Sequence, residues 1–206
     1  MSLIIGISGG SGSGKTSFIR DLKMAFPAES LCVISQDDYY RPREEQFVDN
    51  QGIHNFDLPE SIDQEAFLRD IQLLQSGQTV TRLEYTFNNK LHKPSHITFT
   101  PAPILIIEGL FIYHNPEVKK ILDLKIMVHA SDSHKIIRRI KRDQKERNYP
   151  IDDVLYRYQH HVMPSYQKYI EPYLEEVDLI INNQKTYDPG IAVLKGYLSN
   201  HLQNLK

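Results

Sequence analysis

The chain has 206 residues, 40% of them apolar, which is enough for one hydrophobic core and points to a single domain over 1–206. Twenty-four Lys and Arg nearly cancel 26 Asp and Glu, and the formal charge of −2 speaks against a protein built to coat nucleic acid or an anionic membrane surface. The one cysteine, Cys32, excludes an internal disulfide framework and a Cys-based zinc cluster and suits a reducing compartment, the cytoplasm.

Taken in chain order, the apolar run at 3–7 lacks polar alternation and predicts a strand buried on both faces, with no basic segment before it to suggest a signal peptide. Behind it the sequence reads Gly9-Gly10-Ser11-Gly12-Ser13-Gly14-Lys15-Thr16, and the spacing over 16–26 predicts a helix. Residues 31–34 predict a second buried strand, in which Cys32 serves as a small buried hydrophobe. A helix is expected over 62–76, opened by a capping box of Ser61 with Gln64 and closed by Gly77. The runs at 79–87 and 96–99 read as an antiparallel hairpin turning across Asn88, Asn89 and Lys90, which makes 79–100 an insertion. Further strands are expected at 104–107, 124–128 and 179–181. Helices are expected at 133–144, from Pro150 with Val154, Tyr158 and Val162 on one face and an interruption at Pro164, and from Pro189 with Ile191, Leu194 and Leu198 inward. No run approaches the ~20 apolar residues that cross a bilayer. Strand alternating with helix implies right-handed crossovers and a parallel α/β sheet.

The glycine-rich segment is a full match to G-x-x-x-x-G-K-[ST] in the strand–loop–helix context that the motif requires. Its glycines let backbone N–H groups turn inward around a phosphate chain, and the following helix adds its positive end, so residues 9 to 17, Ser17 included, are candidate nucleotide ligands. Lys15 would reach the β- and γ-phosphates of the bound nucleotide, and the Thr16 hydroxyl would ligate Mg²⁺. A metal carboxylate should stand at the C-terminal end of a neighbouring strand. Two strands offer one: residues 104–107 end at Glu108, and residues 31–34 end near Asp37 and Asp38. The second acid suits a kinase, which needs a base beside a bound hydroxyl, more than a simple NTPase.

Residues 133–147 hold seven basic and two acidic side chains. Lys135, Lys141 and Lys145 read as a solvated helix face, whereas Arg138, Arg142 and Arg147 are expected in a lid over about 138–150 that stabilises charge on the moving phosphoryl group. No aromatic platform accompanies them, so nucleic acid is not the expected partner. His160 and His161 read as ordinary helix residues with no further ligand at metal spacing.

Through these residues the chain resembles the uridine–cytidine kinase and phosphoribulokinase group of P-loop kinases. The resemblance runs from the phosphate loop through S-Q-D-D-Y-Y at 35–40, N-F-D-L-P at 55–59, I-I-E-G at 106–109, R-R-I-K-R-D at 138–143, and E-P with V-D-L-I-I up to 181. It implies a P-loop fold with five parallel strands, a hairpin over the acceptor site and transfer of the ATP γ-phosphoryl group to a nucleoside 5′-hydroxyl. By the same resemblance Asp37 is the base, Thr16 and Glu108 lie around the metal with Asp37, and Asp57 holds the ribose hydroxyls with Arg139 as its partner. Arg142 and Arg147 sit near the nucleotide phosphates, Tyr85 lies beside the base, and the protein is a homo-oligomer, tetramer or dimer.

The departures gather at the base pocket. Uridine kinases usually show Tyr-Asp-Phe with a His five residues after the Tyr, where this chain reads Tyr85-Thr86-Phe87-Asn88-Asn89-Lys90 and places His92 two positions later. E-R-G-R becomes Glu146-Arg147-Asn148-Tyr149, and Arg157 stands near the position of a base-reading Gln. Lys90, Tyr149 and Arg157 are therefore candidate acceptor-binding residues, and the two cations favour an acceptor with acidic or strongly accepting groups. Uridine or cytidine remains the leading acceptor, with another nucleoside, a ribosyl group or a sugar phosphate as the alternative. A GTPase-type switch is weak: Asp49-Asn50-Gln51-Gly52 matches D-x-x-G but follows no predicted strand, and Asn89-Lys90-Leu91-His92 lacks the Asp of a guanine reader.

Overall fold

A computed structural model describes residues 2–86, 93–147 and 149–205, with Glu146 and Arg147 described in their backbone alone. The strands are β1 (Leu3–Ser8), β2 (Leu31–Ser35), β3 (Phe47–Val48), β4 (His54–Asn55), β5 (Val80–Leu83), β6 (His96–Phe99), β7 (Ile104–Glu108), β8 (Leu124–His129) and β9 (Leu179–Asn182). The α-helices are α1 (Lys15–Lys23), α2 (Gln64–Gln75), α3 (Pro116–Lys120), α4 (Asp132–Arg147), α5 (Ile151–Arg157), α6 (Met163–Tyr169) and α7 (Asp188–Gln203).

Five strands pair in the order β2-β7-β1-β8-β9, all parallel. β1 and β7 are buried along their whole length, as unbroken apolar runs in a central position should be. On one face Phe18, Ile19 and Leu22 of α1 and Ile191, Leu194 and Leu198 of α7 close a core with Ile5, Ile7, Ile104 and Ile106. On the other, Phe67, Ile71 and Leu74 of α2, Val80 and Phe99 of the hairpin, and Val118 of α3 pack on Ile34, Leu105 and Ile107. Helices thus flank a parallel sheet on both sides. β9, one of the two edge strands, departs from the fully buried expectation: Leu179 and Ile180 are exposed, and Ile181 turns into the core.

Several local expectations are corrected. α2 starts at Gln64, and its cap is Asp63, whose side chain accepts from Ala66 N–H at 3.0 Å. Pro59 opens a 3-10 turn that uses Ser61, whose hydroxyl donates to the Asn55 carbonyl instead, and Gln64 turns back to the Pro59 carbonyl. Gly77 follows the helix with φ +82°, where a left-handed residue ends it. Pro164 does not interrupt its helix. A π segment, Tyr158–Val162, joins α5 to α6, and the Met163 N–H reaches the Tyr158 carbonyl five residues back. The widened turn stands directly before the ring that lacks an N–H and could not have completed a regular ladder.

The hairpin pairs antiparallel from Val80 with Phe99 to Leu83 with His96, and its expected turn at Asn88, Asn89 and Lys90 lies outside the described residues. Arg82 ties it to α2: its guanidinium lies 3.4 Å from the Tyr39 ring centroid and 3.2 Å from Asp70, which also accepts from the Tyr39 hydroxyl. A ribbon of β3 and β4 was not expected from the sequence; two residues per strand leave no periodicity to read. The D-x-x-G segment therefore does follow a strand, but one outside the parallel sheet. It forms the ribbon turn, with Gly52 at φ +78°.

Candidate active site

The carboxyl ends of β1, β2 and β7 converge on the loop 9–14. Gly12 and Gly14 adopt φ +82° and +96°, a region that favours glycine; a Cβ at the first would also strike the Lys135 carbonyl and one at the second the Asn183 side chain. The loop is tight because α4 and the end of β9 hold its back. Arg138 donates to the Ser13 carbonyl at 3.3 Å and to the Asn183 carbonyl at 2.9 Å, and Asn183 Nδ2 donates to Ser13 at 2.8 Å.

Lys15 opens α1 and pairs with Glu108, the last residue of β7; both are 8% exposed. Glu108 also accepts from the Ser35 hydroxyl, and Ser35 Oγ in turn accepts the Asp37 N–H at 3.2 Å, capping the 3-10 turn Gln36–Tyr39 that presents Asp37. Burial works against the Lys15 ammonium, but the charges of Glu108 and Asp37 outweigh it and raise its pKa. Burial, then the charge of Asp37, pushes the Asp38 carboxyl up to about 6. Cys32 is 5% exposed and burial lifts its thiol to about 11, in keeping with an inert core residue.

A cleft of about 550 Å³ runs from residues 9–17 past Asp37, Asp57, Arg139 and Arg142 to Tyr85, Tyr149 and Arg157. Arg139 spans it: Nη1 donates to Ser11 Oγ at 2.8 Å and lies 3.8 Å from Asp57 Oδ1, while Nε is 3.2 Å from Asp143. Asp143, 1% exposed, also takes Arg142 Nε at 2.9 Å. Beyond Asp57 the wall is aromatic, with the Tyr40 ring 6.2 Å from Phe56 and 5.4 Å from Tyr85. Arg157 donates to the His54 carbonyl at 2.9 Å, and its guanidinium is 5.7 Å from the Tyr149 ring.

A phosphate-binding loop and a pair of carboxylates sharing one cleft agree with the sequence comparison. The Phosphoribulokinase / Uridine kinase family model matches residues 4–189. The chain belongs to this family. Three curated proteins named uridine kinase are similar along nearly their whole length. That of Borrelia duttonii (strain Ly) is 34% identical over 201 residues, 96% of this chain and 95% of the relative. That of Clostridium novyi (strain NT) is 32% identical over 203 residues, 97% and 98%, and that of Chlamydia pneumoniae is 30% identical over 206 residues, 99% and 92%. The fold is shared with a protein described as a possible uridine kinase from Bacillus stearothermophilus, at TM-score 0.62 and 18% identity over 87% of this chain and 88% of that one. It is shared too with phosphoribulokinase from Rhodobacter spheroides, at TM-score 0.60 and 16% identity over 88% and 70%. The protein is thus a P-loop kinase, a phosphotransferase acting on a hydroxyl acceptor.

Within this kinase, the residues singled out in the sequence fall in three groups. Gly9 to Ser17, Asp37, Asp57, Tyr85, Arg139, Arg142, Tyr149 and Arg157 line the cleft, and Glu108 lies behind Lys15. Lys90 and the Arg147 side chain lie outside the described residues. The third group is corrected. Arg138 lines the cleft but spends its guanidinium on the loop and Asn183. Lys135 is no solvated residue: it is 3% exposed, with its ammonium 3.5 Å from the Tyr166 ring centroid and 2.8 Å from Asp132, because the first turn of α4 packs on the loop. His161 is buried and does have an acid beside it, Asp49, at 2.7 Å.

Ser35, Asp143, Asn183 and the aromatic pair Tyr40 and Phe56 were missed. For Ser35 and Asn183 a signal existed, since each closes or follows a strand of the parallel sheet, where such folds place ligand-facing groups.

Proposed function

We propose that the protein transfers the γ-phosphoryl group of Mg-ATP to the 5′-hydroxyl of uridine or cytidine, as a kinase of pyrimidine salvage in the cytoplasm. The observation that carries this reading is Arg139, which touches the phosphate loop through Ser11 and faces the acceptor-side acid Asp57. One side chain thereby joins the two half-sites that a transfer between two bound substrates needs.

The residues fit magnesium. Among the described residues no three His, Cys, Asp or Glu side chains form a cage, and Mg²⁺ is commonly held by one or two carboxylates with substrate phosphates completing the shell. Thr16, Glu108 and Asp37 would hold it, and when bound it neutralises charge on the β- and γ-phosphates. The chain's own groups do the rest. Lys15 and Arg142 meet the phosphate charge. Asp57 accepts hydrogen bonds from two ribose hydroxyls, and Arg139 faces it at 3.8 Å. Asp37 takes the proton of the attacking hydroxyl as its oxygen bonds to the γ-phosphorus and the bond to the β–γ bridging oxygen breaks. Tyr85, Tyr149 and Arg157 surround the base.

A second acceptor class has its own support: Arg43 and Arg157 line the same cleft as Asp57, a cationic pair suited to a phosphorylated sugar. ADP release measured across nucleosides, ribose derivatives and sugar phosphates separates the two. Turnover of uridine or cytidine with little ATP hydrolysis in their absence is expected; failure of every nucleoside would overturn the leading reading. Asp57→Ala is expected to raise the acceptor KM about 10- to 100-fold and the ATP KM less than about threefold, since the lost hydrogen bonds are all to the acceptor. Steady-state kinetics with each substrate varied checks it.

A further inference from the structure

The segment 47–57 delivers Asp57 to the cleft, yet the two apolar residues of β3 do little to anchor it: Phe47 and Val48 are 61% and 45% exposed. Polar contacts from the helix path after the lid hold it instead. In the β3–β4 turn, Asp49 Oδ1 accepts the N–H groups of Gln51 and Ile53, each at 2.9 Å. Its Oδ2 accepts from the Tyr156 hydroxyl at 2.9 Å and from His161 Nε2 at 2.7 Å. Burial works to raise the Asp49 pKa, but these donors more than offset it and hold the carboxyl below the usual carboxylate range. Oδ2 is therefore an acceptor, and Nε2 of His161 carries the shared proton.

His161 is 3% exposed, and the widened π turn presents it and Val162, two consecutive residues, to the interior. One turn earlier Arg157 grips the His54 carbonyl. From there the chain enters Asn55, whose side chain accepts the Asp57 N–H at 2.9 Å and whose carbonyl accepts from Ser61 Oγ. The anchorage thus ends two residues from the carboxylate that faces Arg139.

We propose that His161, acting through Asp49 and helped by Tyr156, is a positioning residue for the acceptor: it fixes the register of 47–57 and so the place of Asp57 opposite Arg139. This rests on the reading that Asp57 binds the acceptor. The sequence at the π turn carries a neutral-looking His pair, and only the inward member does this work; His160 is exposed and stacks on Tyr156 with ring centroids 4.5 Å apart.

The test compares wild type, His161→Phe, Asp49→Asn, their double variant and Tyr156→Phe, by kinetics with each substrate varied and by amide hydrogen exchange of 47–57. For His161→Phe the acceptor KM should rise about tenfold, with kcat and the ATP KM within about twofold and faster exchange in 47–57. The double variant should be no worse than the worse single one, as members of one contact are not additive. A lowered melting temperature with an unchanged acceptor KM, or an equal rise of both KM values, would reduce His161 to a packing residue. Should His161→Phe not fold, Tyr156→Phe decides, because it removes one hydroxyl at a half-buried site; about a threefold rise in acceptor KM is expected, and none overturns the proposal. Lack of transfer by the wild type to any acceptor would overturn the acceptor reading and this inference together. Failure of the inference alone looks different: the wild type transfers and the variants match it.

Discussion

Asp37→Asn is expected to lower kcat by about 10³-fold while the Kd for ATP, measured by calorimetry, changes less than about twofold. A general base contributes along the reaction coordinate, typically ~10²–10⁴ in rate, and adds little to ground-state binding of the donor. The amide keeps the shape of the 3-10 turn, whose cap is the Asp37 N–H on Ser35 and not the carboxylate. A parallel loss of ATP affinity would instead make Asp37 chiefly a metal or phosphate-site residue, and a loss below about tenfold in kcat would leave the hydroxyl without its base.

Lys15→Ala is expected to act on both substrate binding and chemistry: kcat falls by about 10²–10³ and ATP affinity by about tenfold, because the ammonium meets phosphate charge before and during transfer. A third effect follows from the ion pair. Glu108, 8% exposed, would remain as a buried carboxylate with Ser35 as its one remaining hydrogen-bond partner among the described residues, so the melting temperature should also fall. Adding Glu108→Gln should restore much of that stability without restoring activity. Thermal unfolding of the wild type and the two variants checks the sign, and a double variant no more stable than Lys15→Ala would show that the orphaned carboxylate is not what costs stability.

The parallel core was legible because central strands buried on both faces leave unbroken apolar runs, and β1 and β7 have the plainest of these. The loop at 9–16 was legible for a different reason: its backbone shape demands glycine at fixed places, as at Gly12 and Gly14. Polar contacts between distant segments left no such trace. Asp49 and His161 are separated by 112 positions, and nothing in either local pattern names the other. Lys135 was misjudged for a related reason, since a lysine in a basic helix reads as solvated until the loop and Tyr166 are seen against it. The capping box failed for a local reason, because Asp63 competes with Ser61 for the same helix start and sits closer to it.

Arg139 has a thermodynamic corollary. One guanidinium contacts Ser11 in the glycine-rich loop and faces Asp57; with the proposed roles of loop and carboxylate, any shift that one substrate imposes on it alters the welcome given to the other. Linkage makes that effect mutual: the factor by which donor binding changes acceptor affinity must equal the factor in the reverse direction. A change at Asp57 therefore reaches the nucleotide only through this one contact, which keeps its effect on the donor within the small change in ATP KM expected for Asp57→Ala.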